Sequence, residues 1–299
     1  MLNILPNLIA ESVTLIIKGD KVNVDGVATV RGLPTEDFPN LPAPKTKIMD
    51  LDTDLLGVIN SLISPFTCRS DKDRLMHPSW AGIRIRRSVG TLELMSIAGY
   101  EFSLWTQKSE GADLDINVHA QVFDEAKCSK AELWLDESGF KAILVANNKV
   151  ISCSLLETSS FPILGNYIRP FGPLTTSYKM QVEKLLPAVK IALALAPIDT
   201  KCIRFDIKYG EVVVMAESQD GKTAHSLSCE VNGNPLKTAL DGSYFLKILS
   251  AISDKEIEVQ SVQLEEDDGA GGKKPVTSNA TILKIIGEPN FVHGIVPMR

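Results

Sequence analysis

The chain has 299 residues, of which 44% are hydrophobic and 23% charged, with a formal net charge of −6 and a pI near 5.4. That length holds two or three domains of the usual ~100–150 residues, and the composition is that of an ordinary soluble globular protein. The acidic balance excludes nucleic-acid binding through the whole surface, so any DNA contact must use local basic patches.

The N-terminus, MLNILPNLIAES, has no basic n-region and carries Pro6 inside its short apolar run, which makes a poor signal peptide. The phrase LPTEDFPNLP at residues 33–42 follows almost at once and returns as LETSSFPIL at 156–164. Residues 50–66 place Asp and Thr ahead of apolar positions spaced at 3.6, with Pro65 as a stop, and predict a helix. Residues 81–97 alternate about a central glycine and predict a strand pair. A second helical run at 119–130 and two further strands complete the pattern.

The same grammar then recurs. A helix is predicted within 177–197, where Pro187 argues for a kink or a late start. A Gly-centred strand pair follows at 202–218, then a helical run at 242–253. The longest clearly apolar stretch, IALALAPI at 191–198, is far too short to span a bilayer. Residues 264–280, with four acids, three glycines and two lysines, predict a solvated, mobile hairpin loop. The five cysteines are scattered and lack C-x-x-C spacing, which predicts reduced thiols and a cytoplasmic location.

Self-similarity organises these elements. Displaced by 123 residues, VATVRGLPTEDFP overlays VISCSLLETSSFP, with Val, Leu, Thr, Phe and Pro identical. Displaced by 120, GIRIRRSVGTLELMS overlays CIRFDIKYGEVVVMA, with Leu92 and Leu94 falling on Val212 and Val214. Displaced by 244, LNILPNLIAESVTL overlays LKILSAISDKEIEV. A period this long is a domain and not a solenoid unit. The expected organisation is an α+β chain of tandem helix-plus-antiparallel-sheet half-domains: 46–172 and 173–299 as full domains, 1–45 as the second half of one.

An enzyme is not expected. His77, His119, His225 and His293 are far apart, and no G-x-S-x-G, P-loop or G-x-G-x-x-G occurs. The acids of DLDTD at 50–54 precede an apolar periodic run and suit helix capping better than metal binding. No metal or cofactor is predicted.

Four phrases in co-linear order carry a resemblance over essentially the whole chain. LPTEDFPNLP, SSFPILGNYIRP (159–170), GSYFLKILSAI (242–252) and the terminal VPMR (296–299) make the sequence similar to the bacterial DNA polymerase III beta subunit, the replicative sliding clamp, or a phage or plasmid relative. The resemblance implies a clamp fold whose half-domains lie along an arc, a head-to-tail homodimeric ring around duplex DNA, and no sequence readout. It implies as partners the DNA polymerase III catalytic subunit and the clamp loader, which insert a short peptide motif into an apolar pocket. The pocket wall implied here is Trp80, Ile97, Gly99, Tyr100, Phe102, Pro162, Tyr167, Ile168, Ile282, Ile295, Val296, Pro297 and Met298. These residues could equally pack a domain junction.

DNA-facing cations by the same resemblance are Arg69, Lys72, Arg74, Lys127, Lys130, Lys184, Lys190 and Lys247, although ordinary solvated surface is the alternative for each. The ring contact would set Ile4 and Leu8 against Leu193 and Leu195. Two departures stand out. SIAGYEFSL at 96–104 replaces a family pattern close to A-T-D-G-H-R-L, so that Glu101 puts an anion where a cation is expected at the pocket rim. The first half of the first domain is also missing: a start assigned too late, a split gene whose second chain completes the ring, and a shortened clamp all fit. The competing function is an open relative that occupies clamp partners without encircling DNA.

Overall fold

The computed structural model describes residues 14–24, 28–31, 42–126, 128–147, 149–162, 175–267, 273–277 and 281–298, with backbone alone at 72–73, 175, 262–267 and 273–277. The chain divides into two compact units, Met1–Ala43 and Pro44–Arg299. In the first, β1 (Leu15–Lys18), β2 (Lys21–Val24) and β3 (Ala28–Arg31) form an antiparallel meander. Gly19, at φ +57, makes the tight turn between β1 and β2.

The second unit contains two repeats of one plan. The first repeat runs β4 (Thr46–Leu51), α1 (Thr53–Val58), α2 (Asp71–Met76), β5 (Gly82–Ser88), β6 (Thr91–Ala98), β7 (Glu101–Lys108), β8 (Leu114–His119), α3 (Gln121–Ala126), β9 (Ala131–Leu135), β10 (Lys141–Ala146) and β11 (Lys149–Ser154). The second runs β12 (Thr175–Gln181), α4 (Val182–Ala194), β13 (Cys202–Lys208), β14 (Glu211–Ser218), β15 (Gly221–Ser228), β16 (Glu230–Asn232), β17 (Leu236–Asp241), α5 (Gly242–Ala251), β18 (Glu256–Asp267), β19 (Lys273–Thr277), β20 (Thr281–Ile285) and β21 (Glu288–Ile295).

Each repeat holds two modules of a strand, a helix and three main strands that exchange their first strands, with β16 and β19 as short additions beside β12 and β18 in the second repeat. β4 closes the sheet β11-β10-β9-β4, while β8 closes β7-β6-β5-β8. In the second repeat β17 closes β15-β14-β13-β17, and β12 lies beside β18. β21 then pairs antiparallel with β7, which fuses the repeats into one ten-stranded sheet. Period-two alternation explains the strands: Ile83, Ile85, Leu92 and Leu94 all enter one core, where they meet Leu56, Ile59 and Phe123 from the helices. Leu185, Val189, Phe245 and Ile248 do the same in the second repeat.

Several sequence expectations are corrected. The helix at 50–66 is α-helical only to Val58, then widens into a π turn (Ile59–Ile63) and tightens into a 3₁₀ turn (Ser64–Phe66). α4 starts at Val182, five residues before Pro187, so the proline does not delay it. Pro187 lies on the exposed face, and the single bond its missing N–H removes falls near the helix start, where few bonds depend on it. Three strands, not two, follow α3. The expected loop at 264–280 is partly strand: β18 continues to Asp267 and pairs with β19, setting Glu266 opposite Lys274 and Asp267 opposite Lys273. Residues 268–272 and 278–280 lie outside the described set.

Candidate functional site at the junction of the repeats

Where β7 meets β21, the sheet carries a small apolar cluster separate from the main core. Met95, Ile97, Phe102, Phe161 and Ile282 are buried in it, with Trp80, Leu104 and Val292 packed on its margin. The sheet is covered on both sides here, which is why β6 is buried at four consecutive positions from Leu94 to Ile97 instead of alternating. Gly294 lies opposite Phe102 in the ladder, and a Cβ there would overlap the phenyl ring. His77 stacks on Trp80 with ring centroids 3.9 Å apart.

The C-terminal run is tied to both repeats. The Val296 N–H donates to the Tyr100 carbonyl and the Met298 N–H to the Ala239 carbonyl, each at 2.8 Å. Val296, Pro297 and Met298 stay half-buried, and Tyr100 stands 67% exposed at the β6–β7 turn beside Gly99. Gly99 takes φ +60, and a side chain there would run into the Tyr244 hydroxyl. Of the expected pocket residues, Ile97, Phe102 and Ile282 therefore share one cluster with Trp80 at its edge. Pro162 follows the buried Phe161, whereas Ile295 turns into the main core. Tyr167 and Ile168 lie outside the described residues. Met95, Leu104, Phe161 and Val292 were missed, although the unbroken apolar character of β6 was a legible sign of a second covered face.

Glu101 corrects the sequence reading. It is not at a rim: it is 1% exposed and accepts a 2.5 Å hydrogen bond from Lys247 on α5. Burial pushes its carboxyl up to about 7 in spite of the Lys247 ammonium. His293 of β21 is fully buried beside it, with Nε2 3.7 Å from Glu101 Oε2 and Nδ1 2.9 Å from the Ser103 hydroxyl. Burial, aided by Lys247, drives the imidazole down to about 3. The Lys247 ammonium also stands 5.0 Å from the centre of the Phe66 ring, which packs on His293. The charge that does border the apolar cluster is Arg84, 5.6 Å from the centre of the Phe161 ring and held by two hydrogen bonds to Asp115 at 2.8 and 2.7 Å.

The other expected cations divide. Arg69 binds Asp124 at 2.5 Å as well as Ser64, and Arg74 binds Asp71. Burial alone would raise the Asp124 carboxyl, but the hydrogen bonds from Arg69 and Ser64 hold it below the usual carboxylate range. Lys130, Lys184 and Lys190 are exposed, the Lys72 side chain and Lys127 lie outside the described set, and Lys247 is turned onto Glu101. Leu193 on α4 and Leu195 at its C-cap are half-buried, while Ile4 and Leu8 lie outside the described residues. The Asp52 carboxylate caps α1 by accepting from the Leu55 N–H at 2.8 Å. Among the described residues no cluster of His, Cys, Asp and Glu could hold a metal ion, and no helix is long and apolar enough to cross a membrane.

Neither a family model nor a curated protein matches the chain by sequence. Solved structures do match over its full length. The DNA polymerase III beta subunit of Thermotoga maritima superposes with a TM-score of 0.75 at 17% identity, covering 99% of this chain and 78% of that one. A DNA polymerase sliding clamp from Pseudomonas aeruginosa gives 0.76 at 14% identity, with 100% and 80% covered. A sliding clamp from the same organism bound to griselimycin gives 0.77 at 15% identity, with 100% and 79% covered. At that identity the match speaks for architecture, and the chain has the sliding-clamp fold.

Proposed function

We propose that this chain is a DNA polymerase processivity factor that holds duplex DNA by enclosure and tethers partners through the apolar junction cluster. What carries the reading is the full-length superposition on sliding clamps combined with two repeats fused through one continuous sheet. Enclosure needs no base readout and only weak phosphate contact, which suits a chain of net charge −6. The domain limits 1–45, 46–172 and 173–299, the first a half-domain, belong to this reading, as does a cytoplasmic location. So does a ring that is either a homodimer or completed by another chain.

The partner peptide, from the polymerase III catalytic subunit or the clamp loader, would anchor apolar side chains beside Ile97, Phe102 and Ile282 and reach over Tyr100. The test is retention on nicked circular against linear DNA, with mass measured in solution. Loader-dependent retention on circles and loss from linear ends is the expected result; equal release from both would sink enclosure. A second reading, an open relative that binds clamp partners without encircling DNA, is favoured by one observation. Arg69, Arg74 and Lys247, expected to face DNA, are neutralised by Asp124, Asp71 and Glu101. Partner binding without retention on circles would select it.

A further inference from the structure

The repeat plan leaves two sheet edges whose counterparts are already joined inside this chain. β7 ends the sheet of the first repeat and is covered by β21 of the second. By position β15 is the counterpart of β7, since Glu101 opposite Ala98 matches Gly221 opposite Ser218. β11 is likewise the counterpart of β21, because Leu144 opposite Ile151 matches Leu283 opposite His293. Yet among the described residues β15 and β11 each end their sheets. Neither strand has the proline or register shift that blunts natural edges; each offers a single lysine, Lys222 and Lys149.

The helix beside each edge shows the same contrast. Phe66, at the β7 joint, is fully buried and meets His293, and Leu62 is 6% exposed. Counted from the helix starts at Thr53 and Val182, their counterparts are Leu195, the half-buried C-cap of α4 near Gly221, and Ile191 on α4, 45% exposed. An uncovered apolar face beside an uncovered edge marks a joint without its partner.

We infer that β11 of one molecule adds to β15 of a second copy, repeating between chains the β21–β7 joint within the chain. The inference deepens the ring reading above by naming the edges that meet, with β11 in place of the N-terminal unit opposite α4. One contact then covers both open edges, whereas a partner strand from β3 would leave β11 bare. The register transfers directly: Val292 opposite Leu104 becomes Val150 opposite Ala224, and His293 opposite Ser103 becomes Ile151 opposite Thr223. Both pairs are compatible, β-branched or small, and uncharged. The contact is heterologous, so it closes into a ring or runs on as a filament according to the rotation per joint.

The test uses full-length chains without DNA. V150C and A224C, both at exposed positions, are oxidised singly, mixed together, and each mixed with the parent. A disulfide-linked dimer formed severalfold more in the V150C plus A224C mixture than in any control is the expected result, with V150E dispersing the assembly and V150E with A224K restoring it. A monomeric mass without cross-linking, or cross-linking of A224C to T29C of β3 instead of V150C, overturns the inference. Cross-linked chains that fail to stay on nicked circles would end the enclosure reading and keep the edge contact; retention without the cross-link would do the reverse.

Discussion

At the scale of single residues, the junction places two groups of opposite titration side by side. Glu101 is raised from 4.5 to about 7, so its contribution to stability is present below pH 4.5 and is lost as pH rises through 7. His293 is lowered from 6.5 to about 3, so its contribution is present above pH 6.5 and is lost as pH falls towards 3. Between pH 4.5 and 6.5 the two slopes oppose each other. Glu101→Gln should leave only the His293 slope, with stability rising from pH 4.5 to 6.5 and then levelling, whereas in the parent the Glu101 loss of about 3 kcal/mol between pH 4.5 and 7 largely cancels that rise. Urea midpoints at successive pH values check this, and parallel curves for parent and variant would refute it. Gly294→Ala should cost about 1–3 kcal/mol by displacing the Phe102 ring, read as a lower melting temperature. The residue types were readable as apolar or charged. That Glu101 is interior was not, because its cation stands on α5 and its neighbouring imidazole on β21.

Among elements, the helix starts were legible because their signals are local. Asp52 caps α1 as its position before the periodic run suggested, and Asp52→Ala should destabilise by about 1 kcal/mol in chemical denaturation. The widening of the same helix at Ile59–Ile63 has no such local sign. Asn117 on β8 illustrates a contact that crosses elements. Its side-chain amide donates to the Ser79 carbonyl at 2.8 Å and the Glu157 carbonyl at 3.2 Å, fixing the segment after β11. Asn117→Ala leaves both carbonyls without that donor and should cost about 1–3 kcal/mol. Faster amide exchange at Leu156, whose N–H bonds the Asn117 carbonyl, would report it; unchanged exchange would not fit.

For the whole molecule, enclosure predicts a specific insensitivity to salt. A protein held by phosphate contacts loses affinity steeply as salt rises, whereas a closed ring on a circle has no end to leave by. Retention on nicked circles should therefore change little between about 50 and 200 mM salt, and a steep loss would point to ordinary cationic binding. By itself the sequence determined the repeat, the helix and strand alternation inside it, and the apolar phrases that close each segment. All of these are set by short-range periodicity and by spacing along one chain. Only the tertiary structure decided that modules exchange strands, that β21 fuses the repeats through β7, that Arg69 and Lys247 are spent on Asp124 and Glu101, and that β11 and β15 are left as edges. Those outcomes depend on pairings between residues far apart in sequence, and no local pattern records which strand will lie beside which.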